Sequence, residues 1–144
     1  MSDVLVYQGR GPWTDRLLAL RRAVFIEEQG VPEAEEIDDR DGEATHFAIE
    51  DDGPLPQGTA RLRTKAPGLG KAERVAVRAD RRGAGVGRAL MKALEAEAAA
   101  KGHAAVLLGA QETAVPFYRR LGYRVEGEAF LDAGIVHFWM RKRL

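Results

Sequence analysis

Cysteine is absent from the 144 residues, which removes disulfides, thiolate metal sites and a cysteine nucleophile together. Histidine is scarce: His46, His103 and His137 stand far apart and form no metal-ligand spacing, so no metal is expected. No run approaches the roughly 18 apolar residues of a membrane span. The start, Met1-Ser2-Asp3, shows no basic region followed by an apolar stretch. The expected compartment is the cytoplasm, with no membrane partner. Charge of one sign is not in excess either: 22 basic and 22 acidic side chains give a formal net charge of zero, so nothing global draws the chain to nucleic acid. What is present is 45% apolar and 31% charged residues, the balance of a globular protein. The length fits one domain spanning 1–144.

The pattern along the chain predicts alternating helices and strands. Val4 to Tyr7 reads as a short strand, broken by Gly9, Gly11 and Pro12 ahead of Thr14, a candidate helix N-cap. Leu17, Leu20 and Val24, widened by Leu18 and Phe25, predict one amphipathic helix from Asp15 to Gln29, closed by Gly30 and Pro32. Thr45 to Glu50 and Gly58 to Arg63 predict an antiparallel hairpin across Asp51-Asp52-Gly53-Pro54. A third strand, Glu73 to Val77, follows a loop around Pro67 to Gly70. Gly85 to Lys101 is an Ala/Leu/Glu-rich helix stopped by Gly102, and Ala105 to Leu108 is an apolar strand. Thr113 to Leu121 predict another helix; Tyr123 to Phe130 and Ile135 to Arg141 predict two strands around Asp132-Ala133-Gly134.

The most informative segment is Arg81-Arg82-Gly83-Ala84-Gly85-Val86-Gly87-Arg88, placed between a strand and a long helix. Glycines at alternate positions permit close approach of the backbone to a ligand, and a helix N-terminus offers free N–H groups and a positive dipole end. That geometry suits a pyrophosphate, with Arg82 and Arg88 available for charge-assisted hydrogen bonds. A P-loop would need Gly-Lys-Ser/Thr, and Gly87 is followed by Arg88-Ala89. A dinucleotide fingerprint would place glycine at position 88 and an acid roughly 20 residues on, where Ala104 and Ala105 stand instead. A solvent-exposed turn whose glycines only solve a backbone problem remains the alternative.

Glu73-Arg74-Val75-Ala76-Val77, then Arg82-Gly83-Ala84-Gly85-Val86-Gly87, then Phe117-Tyr118-Arg119-Arg120-Leu121-Gly122-Tyr123 together resemble the GNAT acetyltransferase superfamily. Arg82, Gly85 and Gly87 fill its Arg/Gln-x-x-Gly-x-Gly/Ala motif, and the resemblance spans essentially the whole chain. The segment Val24 to Pro32, the acidic run Asp38 to Asp41 and Gly134-Ile135-Val136-His137 resemble the small bacterial ElaA/YjcF-like group within it. Two positions depart from the family pattern: Gln111 stands where asparagine is frequent, and Val136 where proline often precedes the histidine.

The resemblance implies an α/β (α+β) single domain with a mixed, mostly antiparallel central sheet flanked by helices. That sheet is splayed where the strands near Val75 and Leu107 run parallel and admit the cofactor. It implies an acetyl-CoA-dependent N-acetyltransferase acting on a primary amine by direct transfer. Val75, Ala76 and Val77 would lend backbone groups to the pantetheine arm like an added strand. Arg82, Gly83, Ala84, Gly85, Val86, Gly87 and Arg88 would hold the pyrophosphate, with Gln111 and Phe117 completing the cofactor site. Phe25, Glu28 and Gln29 at the end of the first helix, with His137, are the candidate acceptor contacts. A homodimer fits the expected exposed strand edges. A non-catalytic acyl-CoA-binding module and a different acyl donor are the alternative readings.

Aminolysis of a thioester needs a neutral amine, a stabilised oxyanion and a proton for a thiolate whose acid is similar to cysteine, at roughly pKa 8.5. Tyr118 is the candidate acid, since a phenol of pKa about 10 is protonated at neutral pH; its alternative is a packing tyrosine beside Phe117. Glu73 is the candidate base, with Glu28 a second possibility, each equally readable as an ion-paired or solvated carboxylate. His46 resembles a second subgroup position, and His103 is expected to be exposed. Between Glu27 and Glu43 nine acidic residues stand against one basic residue, Arg40. Their field could draw a cationic amine, or they could form a solvated loop.

Overall fold

The computed structural model describes residues 3–144. Turn chemistry at Asp51 to Pro54 folds β2 (Thr45–Ile49) back on β3 (Gly58–Ala66), and β1 (Val4–Gln8) adds to the other side of β2. β4 (Leu69–Val77), β5 (Ala105–Gln111), β6 (Arg124–Asp132) and β7 (Ile135–Arg143) complete a seven-stranded sheet in the order β1-β2-β3-β4-β5-β7-β6. Every neighbouring pair is antiparallel except β4 with β5, which is parallel.

The α-helices are α1 (Thr14–Arg21), a short α2 (Glu33–Glu36), α3 (Val86–Ala100) and α4 (Val115–Arg120), and α1 and α3 settle on opposite faces of this sheet. In α3, Val86, Leu90, Met91, Leu94 and Ala98 are buried at helical spacing, and they pack on Phe47, Ile49, Ala60 and Leu62. A Cβ at Gly58 would lie 2.6 Å from Val86 Cγ1 and 2.9 Å from Leu90 Cδ1, so only glycine lets α3 start this close to β3. The residues alternating with Ala60 and Leu62, Thr59 and Arg61, point to the other face, where α1 (Thr14–Arg21) contributes Leu20 and Arg21.

β4 carries a bulge that decides what faces the helices. Thr59 pairs with Ala76 and Arg61 with Glu73, so three steps on β4 oppose two on β3; Arg74, at φ +54°, is the extra residue. Strict alternation would put Ala72 and Ala76 on one face. The bulge instead leaves Ala72, Val75 and Val77 with the α3 cluster and hands Ala76 to the cluster of Leu20 and Val24. Arg74 pins the distortion by donating from Nε and Nη2 to the Glu36 carbonyl, at 3.3 and 3.1 Å.

The structure departs from the sequence expectations at several boundaries. The single helix from Asp15 to Gln29 is an α-helix only to Arg21; Arg22–Glu28 is π-helical, a geometry that occurs mostly as short insertions and frequently at functional sites. Thr14 is the first helical residue rather than its N-cap, and its Oγ1 accepts from the Gly11 N–H at 2.9 Å. The expected loop at Pro67 to Gly70 shrinks to a tight turn, because β3 and β4 run on to Ala66 and from Leu69. β5 likewise extends to Gln111. The extra residues, Thr64 to Ala66, Leu69 to Ala72 and Gly109 to Gln111, mix glycine, alanine and polar side chains without a regular apolar alternation, which hides their strand character from a hydrophobicity pattern.

Candidate functional site

β4 and β5 part company after three residue pairs. Leu69, Gly70 and Lys71 pair with Ala105, Val106 and Leu107, and no ladder continues between the two strands beyond Lys71 among the described residues. Val75, expected beside the parallel pairing, lies past its last rung. β4 stays paired with β3 and β5 with β7, so beyond the last rung each strand turns an unpaired edge to the opening, that of β4 coming from its bulged end. A cavity of about 340 Å³ fills the gap, lined among others by Phe25, Gln29, Val75, Gln111, Tyr118 and His137. Helices, two strands and the β6–β7 hairpin, distant in sequence, meet there.

At the C-terminal end of β4 the chain enters the Gly-rich turn, which lies outside the cavity and is largely exposed. Gly83 and Gly85 adopt φ +81° and +85°, a left-handed conformation that glycine takes without strain. Between Gly83 and Arg88 the one backbone N–H with an acceptor among the described residues is that of Ala84, which reaches Arg81 O at 3.3 Å. The remaining N–H groups fit a bound phosphate pair at the mouth of α3. Gly87 serves packing instead. A Cβ there would meet Phe117 Cζ at 3.1 Å, so this glycine seats the first turn of α3 against Phe117 of α4 (Val115–Arg120). Arg88 is exposed, and Arg82 donates from Nη2 to both Glu28 oxygens at 2.9 Å and from Nε to Val77 O at 3.1 Å.

Tyr118 lines the cavity and is otherwise buried, packed edge-to-face with Phe117 and with Tyr123. Its hydroxyl has no hydrogen-bond partner among the described residues, and burial raises its pKa well above that of a free phenol. The cavity wall thus includes a phenol that stays protonated. Gln111 and Gln29, one expected at the cofactor and the other at the acceptor, touch: Gln111 Nε2 donates to Gln29 Oε1 at 2.7 Å. His137 Nδ1 donates to Ile135 O at 2.8 Å, which leaves Nε2 as the ring nitrogen without a partner among the described residues.

Glu73 lines the same cavity, but its carboxylate is fully engaged. Arg61 Nη2 lies 3.0 Å from Oε1, and Arg63 Nη2 and Lys71 Nζ each lie 3.0 Å from Oε2. Burial alone would raise its pKa; the hydrogen bond from Arg63 and the charges of Arg61 and Lys71 more than offset that and bring it down to about 2. A carboxylate held so firmly in its charged form is a weak proton acceptor, which argues against the base role read for Glu73. Glu28 does not line the cavity, and its pairing with Arg82 places it beside the Gly-rich turn instead.

The acidic run between Glu27 and Glu43 is divided: Glu36, Asp38 and Asp41 turn onto arginines, while Glu27, Glu33, Glu35 and Asp39 stay exposed. Glu36 and Asp41 are buried, accepting from Arg21 Nε at 2.9 Å and Arg21 Nη1 at 2.8 Å. Asp38 accepts from both Nη atoms of Arg61 at 2.9 and 3.0 Å. Burial pushes Asp38 and Asp41 up, yet the guanidinium partners hold both below the ordinary carboxylate range. Arg61, with these acids around it, is raised further despite desolvation. The run therefore docks the segment after the π-helix onto β3 and β4, behind the cavity wall. His46 is buried in this layer, its Nε2 3.0 Å from Asp41 O, with its pKa lowered chiefly by desolvation. His103 is half-buried, 3.2 Å from Thr64 Oγ1, rather than exposed.

Sequence reading did not single out Asp132, Phe130 and Trp139, although all three line the cavity. Their only signal was the turn they flank. No group of three or more His, Cys, Asp or Glu side chains that could hold a metal occurs among the described residues, and no helix among them is long and apolar enough to cross a membrane.

A sheet that opens between two parallel strands, with a Gly-rich turn at one strand end and a buried tyrosine at the other, defines an acyltransferase class. The model of the acetyltransferase (GNAT) domain matches residues 14–144, and the chain belongs to the GNAT acetyltransferase family. Within it, the chain is 49% identical to the N-acetyltransferase YjcF of Bacillus subtilis (strain 168), itself uncharacterized, over 124 residues, or 85% of this chain and 87% of that protein. The fold superposes on Escherichia coli ElaA with a TM-score of 0.84 at 29% identity, covering 97% of this chain and 99% of that one. An acyl-CoA N-acyltransferase from Pseudomonas aeruginosa superposes equally, with a TM-score of 0.84 at 27% identity over 99% of each chain.

Proposed function

We propose that this protein is a cytoplasmic N-acetyltransferase that moves the acetyl group of acetyl-CoA directly to a primary amine. The observation that carries this reading is the unpaired edge of β4 beyond Lys71, which opens onto a cavity lined by Tyr118. Acetyl-CoA would supply a thioester, an acyl group joined to a good leaving thiolate. The free N–H groups of the Gly83 to Arg88 turn, with Arg82 and Arg88, bind the phosphates. The open β4 edge at Val75 to Val77 aligns the arm as an extra strand, and a backbone N–H there stabilises the carbonyl oxygen as charge builds on it.

The neutral amine of the acceptor forms the new C–N bond as the C–S bond breaks; the amine's surplus proton leaves to water, and the Tyr118 phenol protonates the departing thiolate and recovers its proton from solvent. With Glu73 held in its ion pairs, an amine that arrives partly neutral needs no dedicated carboxylate base. Phe25, Gln29 and His137 face the acceptor. A homodimer through an exposed edge strand, β1 or β6, is part of the same proposal.

Thermal unfolding with acetyl-CoA, CoA or ATP tests the cofactor. A ligand at about 100 times its Kd stabilises by about 2.7 kcal/mol, a shift of several degrees at this length. A shift with both CoA species and not with ATP supports the proposal; no shift at saturating acetyl-CoA overturns it.

A further inference from the structure

The cavity carries a charge imbalance at its exposed rim that the acetyl donor does not use. Two cations line it, and both are taken. Lys71 Nζ lies 3.0 Å from Glu73 Oε2 and 5.4 Å from the centre of the Trp139 ring. Arg74 lies 3.2 Å from the Glu36 carboxylate and 3.3 Å from that of Asp38. Four carboxylates line the same space. Glu36 and Glu73 belong to these pairs, whereas Glu35 and Asp132, both exposed, have no ion pair or hydrogen bond through their carboxylates among the described residues.

An aromatic wall stands beside these acceptors. Phe130 stacks on Trp139 with ring centres 4.9 Å apart at 20°, and on His137 at 5.6 Å and 29°. Lys71 already rests its ammonium over one end, so the faces of this wall accept both methylene groups and cations.

These features select among amines. The nitrogen that attacks the thioester has to be neutral, so it leaves nothing for the two free carboxylates to pair with. A carboxylate or phosphate on the acceptor would find no free cation. We infer that the acceptor is a linear di- or polyamine, one amino group reacting near Tyr118 while a second, cationic one is held by Asp132 and Glu35 and the chain between them lies along Phe130 and Trp139. The inference rests on the N-acetyltransferase reading.

The test compares 1,4-diaminobutane with two molecules of similar length, n-butylamine and 4-aminobutanoate, by acetyl-CoA-dependent thiol release. Each partly exposed charge pair is worth about two- to fivefold, so two give a kcat/KM preference for the diamine of about tenfold, beyond the factor of two from its second reactive group. Asp132→Asn lowers that preference about two- to fivefold, and the double variant Asp132→Lys, Glu35→Lys inverts it toward 4-aminobutanoate. Both side chains are exposed, so the fold tolerates these changes. Equal or better turnover of n-butylamine or 4-aminobutanoate by the unaltered protein, or a preference insensitive to both variants, overturns this inference alone. Failure of acetyl-CoA to stabilise the protein, or of any amine to be acetylated, overturns the transferase reading and the inference with it.

Discussion

Arg82 bridges the end of the π-helix and the Gly-rich turn by holding both carboxylate oxygens of Glu28 at 2.9 Å through Nη2. Arg82 is also the side chain expected to meet the phosphates of the donor, so a carboxylate now occupies the place of that anion. Releasing it costs little, since the two side chains are 47% and 38% exposed and water screens the pair.

Glu28→Gln should therefore tighten CoA binding about two- to fivefold, and Arg82→Ala should weaken it. Calorimetric titration with CoA reads both. Unchanged or weaker binding in Glu28→Gln would show that Glu28 does not compete with the phosphates.

Tyr118→Phe keeps the ring that packs against Phe117 and Tyr123 and removes only the hydroxyl. If that hydroxyl is the acid, kcat falls by about 10²- to 10⁴-fold while CoA affinity and melting temperature stay close to those of the parent. Because burial raises the phenol's pKa, its loss as an acid does not appear as a falling limb in mildly alkaline solution. A fall in kcat below threefold would make Tyr118 a packing residue.

Glycines 58 and 87 separate stability from binding. Gly58→Ala puts a methyl group into Val86 and Leu90 and should cost about 1–3 kcal/mol, seen as a lower denaturation midpoint. Gly87→Val instead drives against Phe117 and Val77 at the cofactor end of α3, so CoA affinity should fall. Phe117→Ala in the same chain should restore part of it. No restoration would mean that Gly87 serves the ligand's approach rather than the seating of Phe117.

Acid should unfold this protein through its paired carboxylates. Glu73 drops from an ordinary value of 4.5 to about 2 in the fold, so between those values the unfolded chain binds the additional proton. The stability from this group is complete above roughly pH 5 and is lost as pH falls toward 2, with Asp38 and Asp41 acting in the same direction. Melting temperatures that stay level from pH 5 to pH 3 would contradict it. Asp41→Ala, which removes the buried carboxylate shared by Arg21 and Arg61 and leaves them Glu36, Asp38 and Glu73, should cost about 1–3 kcal/mol.

Local chemistry was legible in the sequence. The Gly-rich turn and its arginines, the strand before it, the long helix after it and the Phe117-Tyr118 helix are each encoded within a few consecutive residues, where backbone freedom, helix periodicity and motif spacing leave their marks. The charges were less so. Glu36, Asp38 and Asp41 read as part of an open acidic field because their partners Arg21, Arg61 and Arg74 lie 15 to 38 residues away in the chain. The break in the first helix at Arg22 was equally hidden, since the π-helical stretch has only seven residues, too few for its wider turn to stand apart from the helix that leads into it.

By itself the sequence determined the family, the element order and the Gly-rich strand-to-helix turn proposed for a phosphate-bearing donor, because each depends on neighbours along the chain. The tertiary structure alone decided which side chains share the cavity. Whether a carboxylate is a base or an ion-pair anchor, as with Glu73, and whether one stays free at the rim, as with Asp132, depends on the groups that folding brings within about 3–4 Å. Those groups come from β3, β4, the β6–β7 hairpin and the segment after the π-helix, and no pattern along a single stretch of chain reports their distance.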